Sequence, residues 1–257
     1  MNAKTIWSEN CPRTVFLARH GQSESNLEER ISGQADPNLT EKGLRQAQRL
    51  ATALRSIPLT KILTSTLRRS METAQPTAES QGIALCPQDA LKEMSFGALE
   101  GRLRNDLDQK SRHLLDRWTQ DKLRFRIPGG ECLLDVHQRV LPFLSQILAD
   151  NPDGTLLIVG HRHTNIVLLS ALMGWELEST MDLSIRSKYV YEIHCAPTPR
   201  IHTICLTGEV RGSRIEGFRH EDSSVSSFSG LRLGTAPLPT GKMLSPMGEE
   251  QLRNGDG

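Results

Sequence analysis

TVFLARHGQSESN, residues 14–26, is the stretch of sequence from which the fold of this chain can be worked out. Its first five residues are mostly apolar and include β-branched side chains, a pattern that predicts a buried strand over 14–18. The strand runs directly into Arg19, His20 and Gly21, and a polar loop follows. Ligands of open α/β sheets bind in the crevice outside the carboxyl ends of the strands, so these three residues are candidates for a functional site.

Arg19 and His20 carry chemistry that suits an anionic ligand. The guanidinium of Arg19 is a planar, permanently charged fork that matches phosphate or carboxylate, and His20 is a nitrogen nucleophile or proton carrier at neutral pH. Gly21 allows close approach of the backbone or a positive φ. Taken alone, the three residues are also compatible with a surface arginine, a hydrogen-bonded histidine and a turn glycine.

The composition argues against several classes of function. The 257 residues are 37% hydrophobic and carry a formal net charge of +1, which argues against a strongly basic nucleic-acid surface. No apolar run approaches the roughly 20 residues of a membrane helix, and the N-terminus lacks the apolar region of a signal peptide. The five cysteines are scattered and lack CxxC spacing, as expected of reduced thiols. We therefore expect a cytoplasmic protein with no nucleic-acid or membrane partner, whose oligomeric state stays open.

Two further strands also end in ionisable residues. Residues 59–65, LTKILTS, lead into Arg69 and a helix that ends at Gly82, and residues 155–159, TLLIV, lead into His161. The remaining predicted elements are helices over 40–54, 136–147 and 166–173 and short edge strands over 83–86, 188–194 and 201–206. Strands that alternate with helices predict a three-layer α/β/α sandwich with a largely parallel sheet and room for an antiparallel edge.

The helix over 40–54 has a distinct apolar face. Thr40 is a suitable N-cap for it. Apolar side chains then recur at helical spacing, at Leu44, Ala47, Leu50, Ala51 and Leu54. We expect this face to be buried against the sheet.

The predicted elements divide the chain into three parts. Residues 1–13 form a leader, residues 14–206 form one α/β domain, and residues 207–257, rich in Gly, Ser and Pro, form a disordered tail. Within the domain, residues 94–127 form a helical cap segment, in which residues 102–126 hold eight Lys or Arg against four Asp. Such a charge run is either a solvated helix face or a cap that attracts an anionic substrate.

Three strands thus deliver charged or titratable groups to one edge of the sheet. Arg19 and His20 follow the first strand, Arg69 follows the second and His161 follows the third. This arrangement suits phosphoryl transfer, in which the protein positions the group and stabilises the charge on its oxygens. Arginine fits that role because its fork binds phosphate through two parallel hydrogen bonds.

The chain resembles the histidine phosphatase superfamily, in its phosphoglycerate mutase-like branch, over residues 13–206. RHGQSESN, through Asn26, resembles the opening motif of the family, whose histidine becomes a phosphohistidine. ISGQADPNLTEKG resembles the substrate loop, with Gly33 as a phosphate contact, and TSTLRRSMETA resembles the motif whose second arginine, here Arg69, binds phosphate. LKEMSFGALEG resembles the segment with the acid/base glutamate, which falls on Glu93, and PGGE and the GH of LLIVGH complete six motifs in order.

The resemblance implies covalent catalysis in two steps, without a metal or another cofactor. Neutral His20 attacks phosphorus while protonated Glu93 gives a proton to the leaving oxygen, and Glu93 then takes a proton from the water that hydrolyses the phosphohistidine. The transferring oxygens are held by Arg19, Asn26, Arg69 and His161. A group that acts first as an acid and then as a base needs a raised pKa, which we expect a partly desolvated pocket to supply to Glu93.

Some residues have competing assignments. Glu100 lies in the same loop as Glu93 and competes for the acid/base role, although its EG context fits a turn. Arg68 is either solvated or paired with Glu72 on the helix face. Asn26 is either a phosphate donor or a cap.

The chain also departs from the pattern of the family. Arg162 and His163 stand where many members have two small residues, and Cys132 follows PGGE where serine is usual. These departures bear on which substrate fits, more than on the phosphate chemistry. His161 and His163 have HxH spacing, but no third metal ligand is apparent.

Three functions remain in competition. The leading prediction is a metal-independent phosphomonoesterase that acts on a small anionic phosphorylated metabolite. The second is a 2,3-bisphosphoglycerate-dependent phosphoglycerate mutase, which shares the core motifs, although residues 94–127 are short for the cap insertion of such enzymes. The third is a catalytically silent binding or regulatory module of the same fold, against which the presence of all five catalytic candidates counts.

Overall fold

The computed structural model describes residues 13–207 and 212–219. Its strands are β1 (Arg13–Arg19), β2 (Lys61–Ser65), β3 (Leu85–Gln88), β4 (Thr155–Gly160), β5 (Tyr189–Cys195), β6 (Arg200–Cys205) and β7 (Arg214–Glu216). They form one sheet in the order β3-β2-β4-β1-β5-β6-β7. The pairs within β3-β2-β4-β1 are parallel, and the pairs from β1 outward to β7 are antiparallel.

Helices cover both faces of the sheet. They are α1 (Glu24–Leu27), α2 (Glu41–Leu54), α3 (Arg68–Gln81), α4 (Gln109–Gln120), α5 (Leu133–Asp150) and α6 (Arg162–Met173). Successive side chains of β1 point to opposite faces, so Phe16 and Ala18 pack with residues of α2 and α3, whereas Val15 and Leu17 pack with residues of α5 and α6. The predicted α/β/α sandwich with a parallel core and an antiparallel side is therefore confirmed.

Helix α2 has the predicted N-cap, but the face that it buries differs from the predicted one near its N-terminal end. The Thr40 side chain accepts a hydrogen bond from the backbone N–H of Gly43 at 3.1 Å. Leu44, expected on the buried face, is 50% exposed, and Gly43 is buried instead. A Cβ at Gly43 would lie 2.2 Å from the carbonyl oxygen of Gln22, so only glycine lets α2 approach the loop after β1 this closely.

The sheet extends beyond the predicted end of the domain. Strand β7 pairs with β6, and the Phe218 side chain is fully buried and stacks on Tyr191 with ring centroids 4.7 Å apart. The predicted disordered tail is therefore wrong for residues 212–219, because a three-residue strand with one apolar side chain leaves almost no periodic signal. Residues 1–12, 208–211 and 220–257 lie outside the described residues, so the leader and the rest of the tail stay predictions.

The cap segment is less helical than its sequence suggests. Residues 94–127 contain one α-helix, α4, and short 3₁₀ turns at 97–99 and 104–106. Most of its basic side chains are engaged at the surface, as in the pairs Arg102–Asp108 and Arg126–Asp135. Among residues 13–207 and 212–219, no helix has the length and apolar character to cross a membrane.

Candidate active site

Two histidines meet where β1 and β4 end side by side. The two strands are parallel neighbours with Arg19 opposite Gly160, so the next residues, His20 and His161, leave the sheet together. The backbone N–H of His20 donates to the carbonyl of Gly160 at 3.0 Å, which continues the ladder by one residue. The two rings lie 5.0 Å apart between centroids.

His20 is held as a neutral imidazole with one nitrogen free. Its side chain is buried, and Nδ1 lies 2.7 Å from the carbonyl oxygen of Gly21. A carbonyl only accepts, so we assign the proton to Nδ1, which leaves the lone pair on Nε2. Burial, followed by the proximity of His161 and the charges of Arg69 and Arg19, holds the pKa of His20 well below its usual value. The ring is therefore nucleophilic at neutral pH.

His161 stands behind His20. It is fully buried and forms the N-cap of α6, and its Nε2 lies 2.7 Å from Oγ of Ser65 at the end of β2. Burial and the charge of Arg69 hold its pKa well below the usual value, so it is also neutral. His161 does not line the cavity described below, and its contact with the site is through the ring of His20.

Arg19 and Arg69 lie near the two histidines, and each has a guanidinium N–H donor without a partner among the described residues. Nη1 of Arg19 donates to the carbonyl of Ile185 at 3.2 Å, and Arg69, which is 1% exposed, donates to the carbonyls of Ala35 at 2.6 Å and Gly33 at 2.8 Å. The buried Nε of each arginine has no hydrogen-bond partner among the described residues. Burial lowers the pKa of Arg19 to about 10, so the group stays charged at neutral pH. Buried unpaired donors of this kind fit a bound anion.

Gly33 and Asn26 line the same cavity. Gly33 has φ +49°, and a Cβ there would lie 2.2 Å from Oε1 of Glu100, so the loop requires glycine at this position. Oδ1 of Asn26 accepts from the backbone N–H of Ser23 at 3.2 Å as part of a capping box. Asn26 is thus the third helical residue of α1 and completes the capping box of Ser23, which agrees with its predicted capping role, and it also lines the cavity.

Of the two competing glutamates, Glu93 lines the cavity and Glu100 does not. Oε1 of Glu100 instead accepts hydrogen bonds from three groups of the surrounding loops, namely the backbone N–H of Gln34, Oγ of Ser95 and the backbone N–H of Phe96. Glu100 therefore fastens the two loops that border the site. Arg68, for which a pair with Glu72 was one prediction, donates to Asn38 instead.

Glu93 is held at the N-terminus of α6. Its carboxylate accepts from the backbone N–H of Met94 at 2.8 Å and from that of His163 at 3.2 Å, and Nδ1 of His163 lies 3.5 Å from Oε2. Burial raises the pKa of Glu93, but the neighbouring His163, these hydrogen bonds and the nearby His161 outweigh it and hold the pKa well below its usual value. The expected raised pKa is therefore wrong, because the sequence did not reveal how many donors meet this carboxylate.

Arg139 of α5 fixes the segment that carries Glu93. Its guanidinium donates to the carbonyls of Ala90 at 2.7 Å, Lys92 at 2.9 Å and Glu93 at 3.2 Å, and it pairs with Glu131 at 2.8 Å. Glu131 belongs to the PGGE motif. The motif therefore does not contact the substrate cavity itself. It holds Arg139, which the sequence analysis did not single out, and Arg139 in turn holds the segment that carries Glu93.

A cavity of about 550 Å³ joins these residues. Six of the seven predicted site residues line it, all except His161, together with residues that had no assigned role: Phe96, Arg104, Arg162, His163 and Arg186. Arg162 and His163 are the two departures from the family pattern noted above. Arg186 precedes β5 in a loop without a recognisable motif, so no sequence signal marked it.

One cluster of possible metal ligands is present among the described residues, and it lies outside this cavity. Glu192, His194 and His202 place ligand atoms within 4.8 Å of one another. The guanidinium of Arg214 donates to Glu192 at 3.0 Å and lies 2.9 Å from Nε2 of His194, so a cation already occupies the position between them. Nδ1 of His163, the second residue of the HxH pair, faces Glu93.

The family model of the histidine phosphatase superfamily (branch 1) matches residues 15–200. This chain belongs to the histidine phosphatase superfamily. A relative from Cronobacter sakazakii, described as "Probable phosphoglycerate mutase GpmB", is 32% identical over 188 residues, which cover 72% of this chain and 86% of that protein. The predicted family is therefore confirmed.

Solved structures of superfamily members have the same fold. The α-ribazole phosphatase of Shigella flexneri superposes with a TM-score of 0.67 at 27% identity, over 80% of this chain and 99% of that one. A mycobacterial glucosyl-3-phosphoglycerate phosphatase, solved with inorganic phosphate, gives 0.62 at 26% identity, over 70% of this chain and 89% of that one. Both are phosphatases, which supports the predicted histidine-type phosphatase for this superfamily member.

Proposed function

We propose that this chain is a metal-independent phosphomonoesterase that hydrolyses a small anionic phosphorylated metabolite through a phosphohistidine on His20. The observation that carries the proposal is the neutral His20, whose free Nε2 shares a cavity with two charged arginines and a carboxylate. We keep the prediction of a cytoplasmic location as part of the proposal. The named relatives and structures agree in phosphate chemistry but differ in substrate.

The first step transfers the phosphoryl group to the enzyme. Nε2 of His20 attacks phosphorus, the bond from phosphorus to the ester oxygen breaks, and the leaving oxygen takes a proton from Glu93. Glu93 is ionised in its present surroundings, so it must first gain a proton. A phosphoryl dianion beside it raises its pKa through like-charge repulsion, and the monoanion of the substrate can bring the proton.

The second step releases phosphate, restores the free imidazole of His20 and leaves the proton on Glu93. Ionised Glu93 takes a proton from a water molecule, the water oxygen attacks the phosphorus of phosphohistidine, and the bond to Nε2 breaks. The low pKa of Glu93 favours the form that this step requires. Arg104, Arg186 and Asn26 line the cavity and are exposed, which gives water access to it.

Charge on the transferring oxygens is stabilised by Arg19 and Arg69 in this proposal. Arg69 is fixed by two backbone carbonyls, so its remaining donors have a defined direction before substrate binds. Permanently charged guanidinium groups can supply the stabilisation for which other phosphoryl-transfer enzymes use a metal ion.

A phosphoglycerate mutase is the second candidate. The Cronobacter relative carries that name, and a cavity rich in arginine suits a substrate with a carboxylate. A mutase must keep water away from its phosphohistidine, and the exposed lining and the single helix of the cap segment favour hydrolysis instead. A silent binding module of the same fold is the third candidate, and the complete set of His20, Arg19, Arg69 and Glu93 counts against it.

The test is an assay with EDTA-treated enzyme and a panel of phosphomonoesters. The panel includes 3-phosphoglycerate with a trace of 2,3-bisphosphoglycerate, and each reaction is scored for free phosphate and for isomer. Acid-quenched enzyme is examined by intact mass for one added phosphate, with His20→Ala as the control. We expect phosphate release, a phosphorylated wild type, and a loss of turnover of at least about 10³-fold in the variant.

Each outcome separates the candidates. Isomer without phosphate would establish the mutase. Neither product would favour the silent module. Equal turnover by His20→Ala would remove the proposed nucleophile, and activity that disappears with EDTA and returns with a divalent cation would remove the metal-independent mechanism.

A further inference from the structure

Two histidines and a glutamate form a cluster on the antiparallel side of the sheet. Glu192 and His194 alternate along β5, so their side chains lie on one face of the sheet. The intervening Ile193 packs in the core on the opposite face. His202 of β6 lies directly opposite Glu192 in the antiparallel register and therefore shares its face. None of the three clustered residues lines the cavity of the candidate active site.

The side chains of this cluster bring their lone pairs close together. One oxygen of Glu192 and one nitrogen each of His194 and His202 all lie within 4.8 Å of one another. Oε1 of Glu192 and Nε2 of His194 are 3.0 Å apart. The ligand atoms of a tetrahedral zinc ion are about 3.4 Å apart, so small side-chain rotations bring these three atoms to that spacing. Since β5 and β6 are paired neighbours, the backbone already holds the ligands in place.

Arg214 of β7 places one atom between the three ligands. Its Nη2 lies 3.0 Å from Oε1 of Glu192, 2.9 Å from Nε2 of His194 and 3.4 Å from Nδ1 of His202. Nη2 carries two N–H bonds, so it cannot give each of three acceptors a hydrogen bond of its own. A metal ion accepts a lone pair from all three. The cluster is therefore better matched to a divalent cation than to the guanidinium.

A hydroxyl group orients the ring of His194 for metal binding. Thr14 of β1 is the register partner of His194, and its Oγ1 lies 3.3 Å from Nδ1 of the ring. Because Nε2 faces a guanidinium, which only donates, we assign the ring proton to Nδ1, from which it is donated to Thr14. The lone pair is then on Nε2. Histidines that bind metals usually donate their other ring N–H to a partner of this kind.

A second cavity, of about 610 Å³, opens beside the cluster. It is lined by His194, His202 and Arg214 together with residues at the turn between β5 and β6. The cavity gives an ion a path from solvent and gives the guanidinium of Arg214 a place to move. It also leaves room for water at the coordination position that three protein ligands leave open.

We propose that Glu192, His194 and His202 form a binding site for a divalent transition metal ion, with Zn²⁺ the best match, and that the ion displaces the guanidinium of Arg214. Imidazole nitrogen and carboxylate oxygen are donors that hold zinc in proteins. The bound ion cross-links β5 to β6 and so stabilises the antiparallel side of the sheet. The site does not rest on the proposed phosphatase reaction, which uses no metal.

The test measures Zn²⁺ binding by the full chain. The protein is prepared without a histidine tag, treated with EDTA and dialysed, and it is then titrated with Zn²⁺ alone in a calorimeter. The visible spectrum of the protein loaded with Co²⁺ reports whether the ion is tetrahedral. We expect a site for one ion in this cluster and a higher midpoint of thermal unfolding in the presence of Zn²⁺.

Variants assign the ion to the cluster. His194→Gln and His202→Gln should each weaken Zn²⁺ binding by about 100-fold or more, and Thr14→Val by about tenfold, because it removes the partner of the ligand. Arg214→Ala should tighten binding by about tenfold, because the ion no longer has to displace the guanidinium. His113→Gln, which removes an exposed histidine of α4, is the matched control and should change nothing.

The outcomes decide the site independently of the proposed function. Failure of both wild type and Arg214→Ala to bind Zn²⁺ would overturn the site, and so would binding that survives in both histidine variants. His20→Ala should bind Zn²⁺ as wild type does, and a loss there would place the ion in the active site instead. If a histidine variant does not fold, as judged by circular dichroism, the sign of the change in Arg214→Ala decides. None of these readouts uses phosphatase activity, so either proposal can fail alone.

Discussion

Oε2 of Glu93 and Nδ1 of His163 lie 3.5 Å apart, and each side chain is only 10% exposed. The His163 ring is held edge-on by Phe96 and Trp118, with centroids 5.6 and 5.5 Å away. Phe96 and Trp118 thus hold the imidazole of His163 against the Glu93 carboxylate, which we propose as the acid and base. His163 is a positioning residue in this arrangement, because it acts through Glu93.

Replacement of His163 is expected to change the titration of Glu93. His163→Phe keeps a ring between Phe96 and Trp118 but removes the imidazole that faces the carboxylate, while burial still disfavours the ionised form of Glu93. The pKa of Glu93 should therefore rise, and the pH at which phosphohistidine hydrolysis reaches half its maximal rate should rise with it. Single-turnover decay of the phosphoenzyme across pH measures this. His113→Phe, on the exposed side of α4, is the control, and an unchanged midpoint in His163→Phe would contradict the assignment.

Arg139 is expected to support both stability and catalysis. Arg139→Leu removes one charged donor from three carbonyls and from the Glu131 carboxylate, so we expect a loss of about 2–3 kcal/mol in the free energy of unfolding. Because the Glu93 segment loosens, kcat should fall more than KM rises. Urea denaturation and steady-state kinetics measure the two effects. Arg139→Lys should recover only part of each, and full recovery would show that charge alone is sufficient.

Arg69 is expected to be irreplaceable by lysine. The two carbonyls that it binds, at 2.6 and 2.8 Å, require a planar fork, which the ammonium group of lysine does not provide. Arg69→Lys should lower kcat/KM by about 10²-fold or more despite the conserved charge. The measurement is kcat/KM together with inhibition by inorganic phosphate. A loss smaller than about threefold would mean that charge, and not direction, is what the site uses.

The buried histidines are expected to make stability depend on pH. His20 and His161 have pKa values well below 6.5 in the folded protein, so the unfolded chain binds more protons below that pH. The free energy of unfolding should then fall as pH drops below about 6.5, by up to about 1.4 kcal/mol per pH unit for each histidine. Urea denaturation at several pH values tests this. His161→Gln should show a shallower slope than wild type, and equal slopes would refute the linkage.

Substitutions of two leucines of α2 test which face of this helix is buried. Leu50 is 2% exposed and Leu44 is 50% exposed. Leu50→Ala should cost about 2–5 kcal/mol in the free energy of unfolding, because it leaves a cavity between α2 and the sheet. Leu44→Ala should change it by no more than about 0.5 kcal/mol. Chemical denaturation of both variants is the measurement, and similar losses would restore the face predicted from periodicity.

The sequence alone determined the parts of this protein that depend on short-range pattern. Apolar runs of strand length specified β1, β2 and β4, and the residues that follow them became neighbours because parallel strands share a carboxyl edge. His20 and His161 meet for that reason, and the motif order identified the superfamily. Periodicity also located α2. The apolar face of a helix does not reveal, however, which residues at its border contact a neighbouring loop. The exposure of Leu44 and the burial of Gly43 followed from that contact.

Only the tertiary structure decided what surrounds each reactive group. The pKa of Glu93 depends on His163, which is seventy residues away in the chain, and on the first turn of α6. Arg104, Arg162 and Arg186 line one cavity because three separate elements converge there. Electrostatic and hydrogen-bonding environments are sums over neighbours in space, so no local pattern in the sequence contains them.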